Sequence, residues 1–130
     1  SAPMFLLDSG QQPDRLALAQ WLTDQRNPLV SRVIVNRLWH AFFGRGIVAS
    51  LEDFGSQGVP PSHPELLDWL ARSLMDERWD IKALCRQIVL SSTYRQSSLP
   101  ADVSLFQSDP DNVWLARGPK HRLSAEQMRD

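Results

Sequence analysis

The chain has one cysteine (Cys85), one tyrosine (Tyr94) and only two lysines (Lys82 and Lys120) in 130 residues. A lone thiol excludes an intrachain disulfide and any cysteine-based zinc pattern, and it leaves the compartment undecided. Cys85 falls inside an apolar helical pattern, where a cysteine reads as a small buried hydrophobe rather than a reactive thiol. His40, His63 and His121 are too scattered to show metal-ligand spacing, so neither a metal nor another cofactor is expected. There is no Cys-x-x-Cys-His to attach a haem, no Gly-x-Ser-x-Gly elbow and no phosphate-cradling glycine loop. Asp53-Phe54-Gly55 copies a kinase tripeptide, but no glycine-rich loop, strand lysine or His-Arg-Asp segment accompanies it. No apolar run approaches the roughly 20 residues that a membrane-spanning helix needs. The first ten residues, SAPMFLLDSG, lack the basic start and longer apolar core of a signal peptide, and read as an internal starting point. A formal net charge of −1 removes any overall electrostatic reason to expect nucleic acid or an acidic membrane surface as partner.

What is present is a core-forming composition. Hydrophobic residues make up 42% of the chain and five are Trp, so a substantial core is possible without staples. The stretch from Asn27 to Gly46, NPLVSRVIVNRLWHAFFGRG, is the organising element. Asn27 can cap a helix start, Pro28 suits the first helical position, and Gly44 can enter the left-handed region that stops the helix. Val30, Val33, Ile34, Leu38 and Phe42 follow at three- and four-residue steps, while Arg32, Asn36 and His40 recur every fourth residue on another face.

Around this helix the other segments are punctuated in turn. Residues 1–13 read as an extended lead-in. Asp14 caps a helix over about 14–25 with Leu16, Ala19 and Leu22 on one face. Ser50 and Asp53 could cap one short turn, and SQGVPPSHP is a loop because adjacent prolines forbid a regular element. Ser62 to Glu65 forms a capping-box signal that opens a helix to about Asp76, with Leu66, Leu67, Leu70 and Leu74 at helical spacing. Asp80 caps the next helix, about 81–91, whose inner face carries Ile81, Leu84, Cys85, Ile88 and Val89. Residues 99–112 read as irregular, and Ser124-x-x-Gln127 opens a last helix that the chain does not complete. The expected fold is therefore mainly α: an irregular orthogonal bundle of four or five helices with long Pro/Gly loops and little or no sheet. Residues 14–130 are expected to form one helical domain, as part of a larger one.

Several polar residues are candidates for chemistry. The row Arg32, Asn36 and His40 could face a ligand. It could equally form a buried network in which Arg37 pairs with Asp53 or Glu52 and Asn36 holds loop backbone. Arg37 lies mid-helix beside Leu38 and Trp39, so a sheltered pairing there is expected to make it structural. His63 could act in acid–base chemistry or simply sit at a helix start. Ser91, Ser92, Thr93, Tyr94 and Arg95 could line a pocket, though hydroxyls at a helix exit ordinarily satisfy its free carbonyls.

Taken in order, Asn27-Pro28-Leu29, Arg32-Val33-x-x-Asn36-Arg37-x-Trp39, Phe43-Gly44-Arg45-Gly46, Asp53-Phe54-Gly55, Pro61 to Leu70, Ser92 to Ser97 and Arg122 to Glu126 resemble the planctomycete-type PSD1 domain, DUF1553. The resemblance covers nearly the whole chain and implies the N-terminal part of that domain. It further implies a larger, exported multidomain protein, with a DUF1549-like domain and in some cases a c-type cytochrome-like module as partners. It carries no activity. Cys85 stands where a His is expected in the family's Leu-His-Arg pattern, which argues against a required ligand there. The leading expectation is a non-catalytic structural or interaction module. The alternatives are a share in a hydrolase-like or carbohydrate-active site completed elsewhere, and helix-turn-helix-like nucleic-acid binding through the Arg-bearing central helix.

Overall fold

The computed structural model describes residues 14–51, 58–99 and 102–129. In chain order the helices are α1 (Arg15–Thr23), α2 (Val30–Phe43), α3 (Pro64–Asp76), α4 (Ile81–Leu90) and three short ones: α5 (Ser92–Arg95), α6 (Ser104–Ser108) and α7 (Ala125–Arg129). No strand occurs among the described residues, and the fold is mainly α.

Local chemistry sets most of the helix ends. The Asp14 carboxylate accepts from the Ala17 N–H at 2.7 Å and that of Asp80 from the Ala83 N–H at 3.0 Å, so both aspartates cap as expected. Gly44 closes α2 at φ 77°, a conformation that costs a glycine nothing. Ser124 and Gln127 form a reciprocal capping box, Ser124 N–H to Gln127 Oε1 at 2.9 Å and Gln127 N–H to Ser124 Oγ at 3.3 Å.

Two expected caps are used differently. Helix α2 begins at Val30, not at Pro28, because Asn27 closes a local turn instead. Its Oδ1 accepts from the Leu29 N–H at 3.0 Å, and its Nδ2 donates to the Trp21 carbonyl of α1 at 3.2 Å. Asn27 thus ties two helices together rather than starting one. Likewise, His63 occupies the cap position of α3 and no side chain caps it, because the Ser62 hydroxyl is bonded to the distant Ile47 carbonyl at 3.2 Å. Pro64 at the first helical position still suits that start.

The core forms where α2 packs on α3, with α4 against α3 and α5 against α4. Val35 and Trp39 of α2 meet Leu67, Leu70, Ala71 and Leu74 of α3, Leu84 and Ile88 of α4, and Ile47 and Val48 from the segment after α2. The fully buried line on α2 is Ser31, Val35 and Trp39, joined by Asn36. Val30, Val33, Ile34, Leu38 and Phe42, expected as the inner stripe, are half-buried and flank it. On α1 the expected inner face is exposed: Leu16, Ala19 and Leu22 face outward and Ala17 is the buried residue. Trp39 stacks on Phe43 at 4.1 Å between centroids, and Tyr94 meets the Phe42 and Phe43 rings edge-on at 5.9 and 5.6 Å. Each such pair contributes about 0.5–1.5 kcal/mol beyond its buried area.

The α3–α4 turn has no glycine. The Trp79 N–H reaches the Leu74 carbonyl at 2.8 Å and the Arg78 N–H that of Met75 at 3.1 Å, the two bonds of a Schellman closure. Arg78 and Trp79 take φ 55° and 63° to make it. Trp79 then packs on the core that includes Leu74, which offsets the strain of its backbone.

Candidate functional site

The polar row of α2 resolves into three separate environments. Arg32 donates from Nε to Asp68 Oδ1 on α3 at 2.7 Å and from Nη1 to the Pro28 carbonyl at 2.8 Å. Arg32 and Asp68 together line two clefts. One of about 380 Å³ includes Gln25, Ser31, Arg72 and Asp76; the other, of about 430 Å³, includes Leu29, Val59, Pro60 and Pro61. The pair forms a shared wall between an ionic cleft and an apolar, proline-lined one. The Arg32 and Asp68 side chains are 31% and 56% exposed, so the pair contributes at most about 1 kcal/mol to stability.

Asn36, one turn on, is 0% exposed. Its Nδ2 donates to the Val48 carbonyl at 3.0 Å and its Oδ1 accepts from the Val48 N–H at 2.9 Å. A primary amide is the one uncharged side chain that offers a donor and an acceptor at this spacing, so it can replace both ladder bonds of an absent strand partner. The approach leaves no room at Gly46, where a Cβ would lie 2.5 Å from the Val48 carbonyl oxygen and 2.7 Å from Asn36 Oδ1. One donor and one acceptor of the amide are thus committed to the chain itself. His40 follows another turn on and is half-buried; its carbonyl accepts from the Gly44 N–H at 2.8 Å.

The other candidates are dispersed. Arg37 is exposed, without the sheltered setting expected for it, and it bonds to no described residue; Asp53 and Glu52 lie outside the described residues. His63 Nδ1 lies 2.9 Å from Ser62 Oγ, and its ring meets Trp114 edge-on at 6.0 Å. The Ser62 hydroxyl is placed between His63 Nδ1 and the Ile47 carbonyl, which also accepts the Ser62 N–H at 2.9 Å. Tyr94 is an aromatic packing group on Phe42 and Phe43, while Arg95 is exposed at the end of α5. Ser91 caps that helix through Oγ, accepting from the Tyr94 N–H at 3.2 Å and donating to the Ile88 carbonyl at 2.6 Å. Burial pushes the half-buried Cys85 thiol up, away from reactivity.

Among the described residues no three His, Cys, Asp or Glu side chains come together as a metal would require. None of their helices is long and apolar enough to cross a membrane. Two residues outside the sequence-based candidates emerge. Asp68, the acid within Leu67-Asp68-Trp69, pairs with Arg32 of α2. Arg117 is a buried guanidinium whose Nη1 has no acceptor among the described residues.

The family model PSD1, described as a protein of unknown function (DUF1553), matches residues 14–130. No curated protein and no solved structure matches the chain.

Proposed function

The chain belongs to the PSD1 (DUF1553) family, and we propose that it serves as a non-catalytic structural and interaction module of a larger protein. The observation that carries this reading is the fate of Asn36, the most buried polar side chain of the α2 row. Its donor and its acceptor both serve Val48 backbone. Arg32 serves Asp68 and Pro28, and Tyr94 serves aromatic packing. Arg32, Asn36 and Tyr94 therefore support loops and helix contacts, and among the described residues no two candidates converge on a common reacting position.

The surface supports the interaction half of the proposal. Leu16 of α1, Trp69 of α3 and Trp114 are 65%, 59% and 68% exposed, and the two tryptophans are of the type that usually anchors a contact. The partners are other domains of the same larger protein, a DUF1549-like domain first among them. Hydroxyl-radical footprinting tests this by comparing the 130-residue chain with the full-length protein. Protection of Leu16, Trp69 or Trp114 in the full-length protein is the expected result; equal footprints at all three would remove the interaction role. Turnover of a glycoside or ester by the full-length protein that is lost in His63→Gln, with the melting temperature unchanged, would replace the module by a shared active site.

A further inference from the structure

A cavity of about 360 Å³ lies between the end of α2 and the segment from Pro110 to His121, away from the Arg32–Asp68 clefts. Its walls include Phe43, Phe106 and His121, and its charged groups are Arg45, Asp111, Arg117 and Lys120. Arg117 is the unusual member. It is 7% exposed, a guanidinium cannot shed its charge, and no acidic side chain pairs with it among the described residues. Asp111, the carboxylate in the same wall, sits 3.7 Å from Arg45 instead.

The segment holds Arg117 firmly. Asn112, at φ 53°, brackets its backbone by donating from Nδ2 to the Arg117 carbonyl at 2.8 Å and accepting the Arg117 N–H at 3.3 Å. Nη2 donates to the Pro110 carbonyl at 2.7 Å, and the guanidinium carbon lies 4.5 Å above the Phe106 ring. Next to it, Gly118 donates to the Ser97 carbonyl at 2.8 Å. Nη1 alone is left buried without an acceptor among the described residues. A desolvated cation with a missing acceptor is costly unless something negative completes it.

The partial negative charge at the C-terminus of α2 accounts for Arg45 and His121 nearby without any ligand. It does not account for Arg117, whose orphaned nitrogen and cation excess remain. We propose that this cavity is an oxyanion site taking the phosphate or sulfate group of a small ester. Arg117 supplies the fixed positive charge behind the wall, Lys120 and His121 the adjustable donors, and Phe43 and Phe106 the apolar surface for the ester's organic part. The volume exceeds what one inorganic oxyanion fills, which favours an ester over the free ion. The site is independent of the module reading, since a ligand here needs no catalytic group.

Titration calorimetry of the 130-residue chain with phenyl phosphate, phenyl sulfate, benzoate and phenol tests it. Phenyl phosphate or phenyl sulfate is expected to bind at least about tenfold tighter than phenol, the difference one charge-assisted hydrogen bond makes. Whichever ester binds more tightly names the source of the oxyanion. Lys120→Ala, an exposed change, and Arg117→Lys are each expected to weaken that binding about tenfold, with circular dichroism verifying that both variants remain folded. Esters that bind no better than phenol, benzoate that binds as well as either ester, or affinity unchanged in Lys120→Ala overturn the proposal.

Discussion

Asn36 and Arg37 are neighbours in sequence and opposites in environment, and the difference decides what each substitution costs. Asn36→Ala leaves both the N–H and the C=O of Val48 buried without partners, so urea melts are expected to show a loss of about 3 kcal/mol. Arg37→Ala removes an exposed side chain, and the same melts are expected to move by less than about 0.5 kcal/mol. The three- and four-residue spacing could place both residues on α2 but could not rank their burial, because that depends on where the segment 46–48 returns. Asp24 is a third case. Its carboxylate accepts from the Arg26 backbone N–H at 2.7 Å and from Nε and Nη2 at 3.0 and 2.9 Å. The Arg26 side chain, then its backbone N–H, lower the acid from the usual 3.8 to about 2. A depressed folded value means the contribution is present above about pH 4 and is lost as pH falls toward 2. Asp24→Asn is expected to flatten the fall in melting temperature across that window, a change that thermal melts at pH 2, 3, 4 and 6 would register.

At the scale of the helices, the ends set by a residue's own neighbours were legible. Asp14, Asp80, Gly44, Pro64 and the Ser124–Gln127 box all act as their spacing implies. Those captured by a distant group were not: Asn27 bonds back to Trp21, and Ser62 to Ile47. The positive-φ pair Arg78–Trp79 left no trace either, since a left-handed residue is announced in a sequence only when it is glycine or asparagine. Arg78 takes that conformation on an exposed side chain, at a cost of about 1–2 kcal/mol that glycine does not bear. Arg78→Gly is therefore expected to stabilise the chain by about 0.5–1 kcal/mol after the added freedom of the unfolded state is subtracted. Trp79→Gly, which relieves the same strain but removes a core contact, is expected to destabilise it. Paired urea melts separate the two, and a loss of stability in Arg78→Gly would mean the turn is not strained.

For the molecule as a whole, α2, α3 and α4 share one core, and the Asn36–Val48 clamp fastens the chain that leaves α2 onto that core. The all-helical class and the position of α2 at its centre could be read from capped, closely spaced helical signals. The exposed face of α1 and the burial of Arg117 could not, because an amphipathic pattern does not say whether a partner covers it and no local feature marks a buried arginine. The clamp makes one direct demand: the Val48 amide must open only when α2 and its core open. Native-state hydrogen exchange reads this at a single residue. The Val48 amide is expected to exchange with the same opening free energy as the slowest amides of α2 and α3, well above those of α1. Exchange of Val48 at the rate of α1 amides would contradict the clamp, and with it the reading of α2's polar row as structural.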